Sequence, residues 1–340
     1  MLDAVAAHAR LEAEIGGYEA ERAIATDLDA GRALVGSFFG MGADEVAFVE
    51  SAHAGLCALL NRWPHAAPPT VALTRTEYGP NVAAFIAAGY AVRFMPTDDS
   101  GRTDLAALPQ WLRAEQPTLV HLTPVPSQRG LLQPARAISL LAKEFGLPVV
   151  ADVAQAFGHV PLDFDANAVY GTSRKWLAGP RGVGFVAASR ATAHRLRRIE
   201  GDDGDLPVRW LENQEGHVGG RLGFCLAVKE FSSAGAHRVH ARLAGLGQQL
   251  RQLLNADLAG WRVLEVLDEP TAMVTLAAPS RIDVAAARTQ LLQVHGILTN
   301  AVPPSRAPQD MTEPVLRISP HLDAQPAVFD RVVAALRSVT

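Results

Sequence analysis

The chain has 340 residues, 49% hydrophobic and 19% charged, with a formal net charge of -4. That length and composition fit a globular chain of two domains, or one large domain with a smaller one attached, and exclude a disordered one. No basic surface for nucleic acid stands out and no apolar run approaches the roughly 20 residues of a membrane span, while the start MLDAVAAHARLEAE reads as a helix rather than a signal peptide.

In chain order, Leu2 to Arg10 and Ala20 to Phe39 have apolar and small residues at three- and four-residue spacing, which predicts helices. Val46 to Val49 is a short apolar run predicting a strand, followed by Ser51-Ala52-His53 and the helical stretch AGLCALLNRW. Val71 to Thr74 predicts a second strand, Asn81 to Ala88 a helix and Ala91 to Met95 a third strand. Leu119 to Thr123 reads as a buried strand, Pro134 to Phe145 as a helix stopped by Gly146, Leu147 to Ala151 as a strand ending at Asp152, and Gly182 to Ala187 as another. This alternation predicts an α/β fold with a mostly parallel sheet covered by helices on both faces.

From about Val239 the pattern changes. A long helix (His240 to Leu254), strands WRVLEVL and AMVTLAA, a helix from Asp283 to His295, the strand VLRIS and a helix from Ala327 to Arg337 predict a smaller α/β unit. The expected division is a large domain over 15–238 and a C-terminal domain over 239–340, joined by the N-terminal helix 1–14. Gly201 to Pro207 and Pro303 to Pro314 read as mobile loops.

Ligands of such sheets bind outside the carboxyl ends of the strands. Ser51 to His53, Glu77 to Tyr78, Thr123 to Arg129 and Asp152 to Gln155 all follow strands and can converge there. Lys175 stands between the polar run Gly171-Thr172-Ser173 and the turn-rich AGPRGVG, with Arg174 able to balance an anion. A lysine that forms an imine must be reachable and partly desolvated; the alternative is a surface Arg–Lys pair in a loop. Asp152, at the end of an apolar strand, needs a cationic partner or several hydrogen bonds if buried; a helix cap with Gln155 is the competing role.

The pattern D-x-A-Q, then a polar run ending in Lys, then G-P-x-G-x-G resembles the class V aminotransferase and cysteine desulfurase family. That resemblance implies fold type I, pyridoxal 5′-phosphate (PLP) as cofactor, a small amino-acid substrate and a homodimer with sites at the interface; the two isolated cysteines point to a reducing, cytoplasmic compartment. It implies Lys175 as the Schiff-base and catalytic lysine, Asp152 at the pyridine nitrogen and Gln155 at the ring oxygen. It assigns Ala52 and His53 to a phosphate-cradling helix start, Tyr78 to the ring face, Ser127 to the ring hydroxyl, and Thr172 and Arg174 to the phosphate. Arg317 in VLRISPHL matches the arginine that grips a substrate carboxylate, and Arg129 is expected near the substrate. Glu215 falls where relatives often place a Thr near the phosphate, and is not expected to be a ligand.

The two cysteines, Cys57 and Cys225, form no disulfide framework and no metal-spaced cluster. A desulfurase needs a nucleophilic thiol on a loop of the C-terminal domain, and no Cys follows Cys225. AAHARLEAEIGGYEAE, TEYGPN, LVHLTPVPSQRG and SRKWLAGPRGVG resemble instead the bacterial carbon–sulfur lyases of ergothioneine biosynthesis. This implies β-elimination from a cysteine conjugate. Another class V lyase, epimerase or transaminase, and a cofactor-free binding protein on the same fold, remain the alternatives.

Overall fold

Short apolar runs bounded by turn residues form a seven-stranded sheet in this computed structural model. Its strands are β1 (Val46–Val49), β2 (Thr70–Leu73), β3 (Ala91–Phe94), β4 (Leu119–Leu122), β5 (Val149–Asp152), β6 (Ala168–Thr172) and β7 (Gly184–Ala188). The described residues are 1–64, 68–202, 204–258 and 260–339; Asp203 of the loop Gly201 to Pro207, and Ala259 and Thr340 of the expected C-terminal domain, lie outside them.

The strand order is β1-β7-β6-β5-β4-β2-β3, parallel from β6 through β3, with β7 antiparallel to both its neighbours. The central strands are buried on both faces, as a covered parallel sheet requires. Val120, Leu122, Val149, Ala151 and Val169 enter one core, while Leu119, Val150, Ala168 and Tyr170 enter the other. That alternation is the two-residue period of a strand. The carboxyl ends of β1, β2, β4, β5 and β6 therefore open onto one edge, and the chain passes Lys175 as it reverses from β6 into β7.

A second, antiparallel sheet has the order β10-β11-β9-β8, from β8 (Arg262–Val263), β9 (Val274–Ala277), β10 (Asn300–Val302) and β11 (Val315–Ile318). The helices Ala236–Asp257, Val284–His295 and Pro326–Arg337 close a separate core over it, from Leu246 to Val339. The N-terminal helix Leu2–Ile15 lies on Val218–Ala234, where Gly223 leaves room for Val5. No helix among the described residues is long and apolar enough to cross a membrane.

Several elements differ from the sequence expectation. The helix expected over Ala20 to Phe39 is two helices, Gly17–Ala23 and Ala25–Ser37, because Ile24 leaves helical geometry. β6 is a strand without a sequence expectation, and the polar run Gly171-Thr172-Ser173 overlaps its end; Gly171 weakens it locally, yet a Cβ there would strike the Phe185 ring at 2.6 Å. WRVLEVL forms only a two-residue strand, because Glu265 turns inward to accept from Gly130 N and Thr275 N. The loop Pro303 to Pro314 is held in place: Gln128 Nε2 donates to Asp310 at 3.0 Å, and Gly79 lets Ser305 O approach its backbone.

Helices Ala25–Ser37 and Val218–Ala234 meet at Gly31, where a Cβ would lie 2.0 Å from Cys225 Sγ. Gly31→Ala should therefore cost about 1–3 kcal/mol by overpacking. Chemical denaturation should show the loss, and part of it should return in the double variant Gly31→Ala/Cys225→Ala. An unchanged midpoint for Gly31→Ala would disprove the contact.

Candidate active site

The common edge of the sheet holds a cavity of about 160 Å³ and an adjoining one of about 370 Å³. Ser127, Gln155, Arg174, Lys175 and Arg306 line both, so they form two lobes of one site. The inner lobe also takes Ser51, Ala52, His53, Tyr78, Asn81, Thr123, Asp152 and Thr172. The outer lobe adds Trp176, Asn300 and Arg317, with Val239, Leu243 and Leu322 as an apolar wall.

One end of the inner lobe is the start of helix Ala52–Arg62. Ser51 caps it, its Oγ accepting from Ala54 N at 3.0 Å, so the Ala52 and His53 N–H groups remain at an open helix start. Such a terminus favours a phosphate. Gly184 at the start of β7 makes the close approach possible: a Cβ there would lie 2.8 Å from Ser51 C and 3.1 Å from Ala52 N. Thr172 closes the lobe beside it, its Oγ1 donating to Val183 O at 3.3 Å.

At the other end lies Asp152, buried at the tip of β5. Its Oδ1 accepts from Ala154 N at 2.8 Å and its Oδ2 from Asn81 Nδ2 at 2.9 Å. Asn81 also donates to Glu77, which accepts from Thr123 Oγ1 and pairs with His121 Nδ1 at 3.1 Å; His121 Nε2 meets Tyr170 OH at 2.8 Å. Burial pushes the Asp152 carboxyl up, the Lys175 charge pulls it down, and Glu77 pushes it up again, for a net rise. Burial also pushes Glu77 up, but His121 and the donated hydrogen bonds bring it below the usual range. A buried carboxylate raised in this way is short of positive charge, which the protonated nitrogen of a pyridine ring would supply.

Lys175 is presented by a tight turn. Ala178 N and Gly179 N donate to Lys175 O and Ser173 O, Ser173 Oγ donates to Pro180 O, and Ala178 takes the left-handed φ of 52°. Held there, the amine is pushed down to about 8, by burial first; Asp152 opposes the shift, while Arg317, Arg174 and Arg306 add to it. Gln155 Oε1 accepts from Trp176 Nε1 at 3.0 Å, so its amide nitrogen is left to donate into the lobes. Trp176 is braced by stacking on His159, ring centroids 3.7 Å apart. His159 pairs with Gln155 O through Nδ1 and accepts from Ala272 N at Nε2, and burial pushes it down to about 3, so it is neutral.

Among the described residues that line the two lobes, two buried side-chain atoms have no hydrogen-bond partner. Ser127 Oγ is buried in the wall shared by the lobes, and Arg317 Nε is buried at the outer lobe. Arg317 is fixed by donating to Ser127 O, and burial followed by Arg306 pushes it down to about 10. Among the lining residues Asp152 is the one acid, against Arg174, Lys175, Arg306 and Arg317. The site is therefore built for anionic groups, and these donors fit PLP: a helix start for its phosphate, a carboxylate for its nitrogen, Ser127 and Gln155 for its ring oxygen, and an amine for its aldehyde.

The structure brings Ala52, His53, Tyr78, Ser127, Asp152, Gln155, Thr172, Arg174, Lys175 and Arg317 together. It does not bring Arg129, which lines neither lobe and pairs with Asp310 at 3.9 Å, fastening the loop Pro303 to Pro314. Glu215 instead accepts from Tyr18 OH at 3.1 Å. Thr123 lines the site as its place after a strand predicts; sequence reasoning missed Asn81 and Arg306 as lining residues, and the pairing of Glu77 with His121 behind them. Arg306 had no local signal; the polar residues in TEYGPN and VHLT did.

An open, mostly parallel sheet with a phosphate-ready helix start, a buried Asp and a depressed lysine on one edge is the architecture of fold type I PLP enzymes. The chain belongs to the aminotransferase class-V family, whose pattern it matches over residues 6–301. It is 43% identical over 100% of its length, and 86% of the relative's, to a protein of Mycobacterium tuberculosis (strain CDC 1551 / Oshkosh) named as a probable hercynylcysteine sulfoxide lyase. It is 31% identical, over 42% of its length and 32% of the relative's, to a mitochondrial cysteine desulfurase of Arabidopsis thaliana. A solved structure of a C-DES mutant with glycine covalently linked to the PLP cofactor superposes with a TM-score of 0.88 at 18% identity, covering 100% of this chain and 93% of that one.

The amine value sets a pH dependence. Below about 8 Lys175 is protonated and cannot attack an aldehyde; above it the free base dominates. PLP capture by the apoprotein should accelerate as pH rises through about 8 and then level off. Arg317→Gln should move that midpoint up and Asp152→Asn should move it down. Stopped-flow absorbance of the imine would read all three, and a midpoint indifferent to both charges would refute the electrostatics.

Proposed function

We propose that this chain is a PLP-dependent carbon–sulfur lyase acting on hercynylcysteine sulfoxide, releasing the ergothioneine sulfur species, pyruvate and ammonia. One observation carries the reading: the site pairs a depressed lysine with a buried arginine whose Nε has no partner, and no thiol lines it among the described residues. Cys225 is buried and pushed up to about 12, and Cys57 is also raised by burial, so neither is a ready nucleophile for desulfuration. The 43% identity over the full chain to the mycobacterial protein supports the same substrate.

In this reading Ala52 and His53 N–H, Thr172 and Arg174 hold the cofactor phosphate. Asp152 would pair with the ring nitrogen, Gln155 and Ser127 would donate to the ring oxygen, and Tyr78 would pack on the ring. Bound PLP supplies the electron sink that makes a Cα–H acidic. Lys175 Nζ takes that proton as general base. Arg317 clamps the substrate carboxylate, so that Cα–H faces Lys175 rather than solvent. The Cβ–S bond then breaks and the three-carbon fragment leaves to hydrolyse. The enzyme works as a cytoplasmic homodimer with its sites at the interface; closed two-fold pairing is the commonest assembly.

The test is pyruvate release from hercynylcysteine sulfoxide by purified, PLP-loaded protein. Lys175→Ala should lose the imine absorbance and at least about 10²-fold in rate. Arg317→Lys keeps the charge but loses the planar fork, so kcat/KM should fall clearly. No product from loaded wild type, with turnover of another amino acid, would reject the substrate. Light scattering that finds an active monomer would reject the dimer.

A further inference from the structure

Three arginines line the two lobes, one more than the phosphate and carboxylate assignments above use. Arg174 and the helix start answer the phosphate, and Arg317 answers the carboxylate, which leaves Arg306 unassigned. Arg306 sits on the short 3₁₀ turn Pro304–Arg306 and lines both lobes. Its guanidinium lies over the Tyr78 ring, 5.4 Å from the centroid, and has no ion pair or hydrogen bond among the described residues. The position is fixed by backbone: Arg306 N donates to Pro303 O at 3.0 Å, Ala307 is fully buried, and Gly79 lets Ser305 O come within 2.6 Å of where a Cβ would stand. Asp310, the acid nearest along the chain, is taken by Gln128 and Arg129.

We infer that Arg306 is the leaving-group residue: its guanidinium binds the oxygen on the substrate sulfur and holds it as the sulfenate departs. The inference rests on the lyase reading above. In the elimination, Lys175 Nζ accepts the Cα proton and the Cα–H electron pair becomes the Cα=Cβ bond. The Cβ–S bond breaks, its pair stays with sulfur, and the sulfoxide oxygen becomes the charged end of a sulfenate, R–S–O⁻. No oxidant or reductant enters. Negative charge thus grows on one oxygen during the step, and a cation over Tyr78 with no ion pair among the described residues is worth most at that moment. Such a residue selects sulfoxides over thioethers, because a thioether has no oxygen to receive it.

The test compares PLP-loaded wild type and Arg306→Gln at saturating cofactor with two substrates. One is hercynylcysteine sulfoxide; the other is 3-chloroalanine, whose leaving group has no oxygen. Arg306→Gln should keep its imine absorbance and lose on the order of 10²-fold in kcat on the sulfoxide, but only a few-fold on 3-chloroalanine. Methanesulfinate, a stable stand-in for the sulfenate, should inhibit chloroalanine elimination by wild type and do so roughly ten-fold or more weakly in the variant. Arg306→Lys should recover part of both effects. Equal losses on the two substrates, loss of PLP, or unchanged sulfinate inhibition would overturn the assignment alone. Wild type that eliminates from 3-chloroalanine but never from the sulfoxide would overturn the substrate reading, and the assignment with it.

Discussion

A carboxylate carried to the inner end of a covered strand costs several kcal/mol of solvation unless charge or donors answer it. Asp152 is that carboxylate, and much of the site follows from answering it. Ala154 N and Asn81 Nδ2 each take one oxygen, and Lys175 supplies the nearby cation. Asn81 is held in turn by Glu77, and Glu77 by Thr123 and His121, so the arrangement reaches back to Tyr170 in the sheet. Every member has a partner, which is the condition for a buried polar network to rigidify a site rather than weaken it. The Asp152 carboxyl still sits above its usual range, so a further cation beside it would stabilise the charged form.

The lysine's chemistry depends on the same balance. Burial and three guanidinium groups favour its neutral form, while Asp152 favours the charged form. The amine is thereby held below its ordinary range, at about 8, so that a larger share of it is neutral near physiological pH. The turn that presents it spends left-handed backbone at Ala178 to do so, a local cost typical of functional sites.

The small sheet is fastened to this edge by buried carboxylates. Glu265 accepts from Gly130 N and Glu269 from Leu132 N, fixing the segment that carries Ser127. Arg102 pairs with Glu269, and Arg251 donates to the carbonyls of Leu267, Glu269, Thr271 and Met273. Arg317 completes the joint by donating to Ser127 O. The outer lobe therefore has a floor from one sheet and a clamp from the other, held in register by hydrogen bonds to main chain.

The sequence alone determined the strand–helix alternation, the convergence of strand ends on one edge, and the Asp152–Gln155–Lys175 set, because each is written in local patterning or in a short motif. It also disfavoured a persulfide mechanism, since no Cys follows Cys225. Tertiary structure decided the rest. β6 is a strand only because β5 and β7 flank it, and Gly171 is legible only beside the Phe185 ring. Arg129 and Arg306 are both arginines on loops near the expected site, and nothing local distinguishes them. Asp310 lies within reach of the first and draws it to the loop, while Gly79 seats the second over Tyr78. Which arginine enters a site depends on which acid it finds first, and that is settled by packing between residues far apart in the chain.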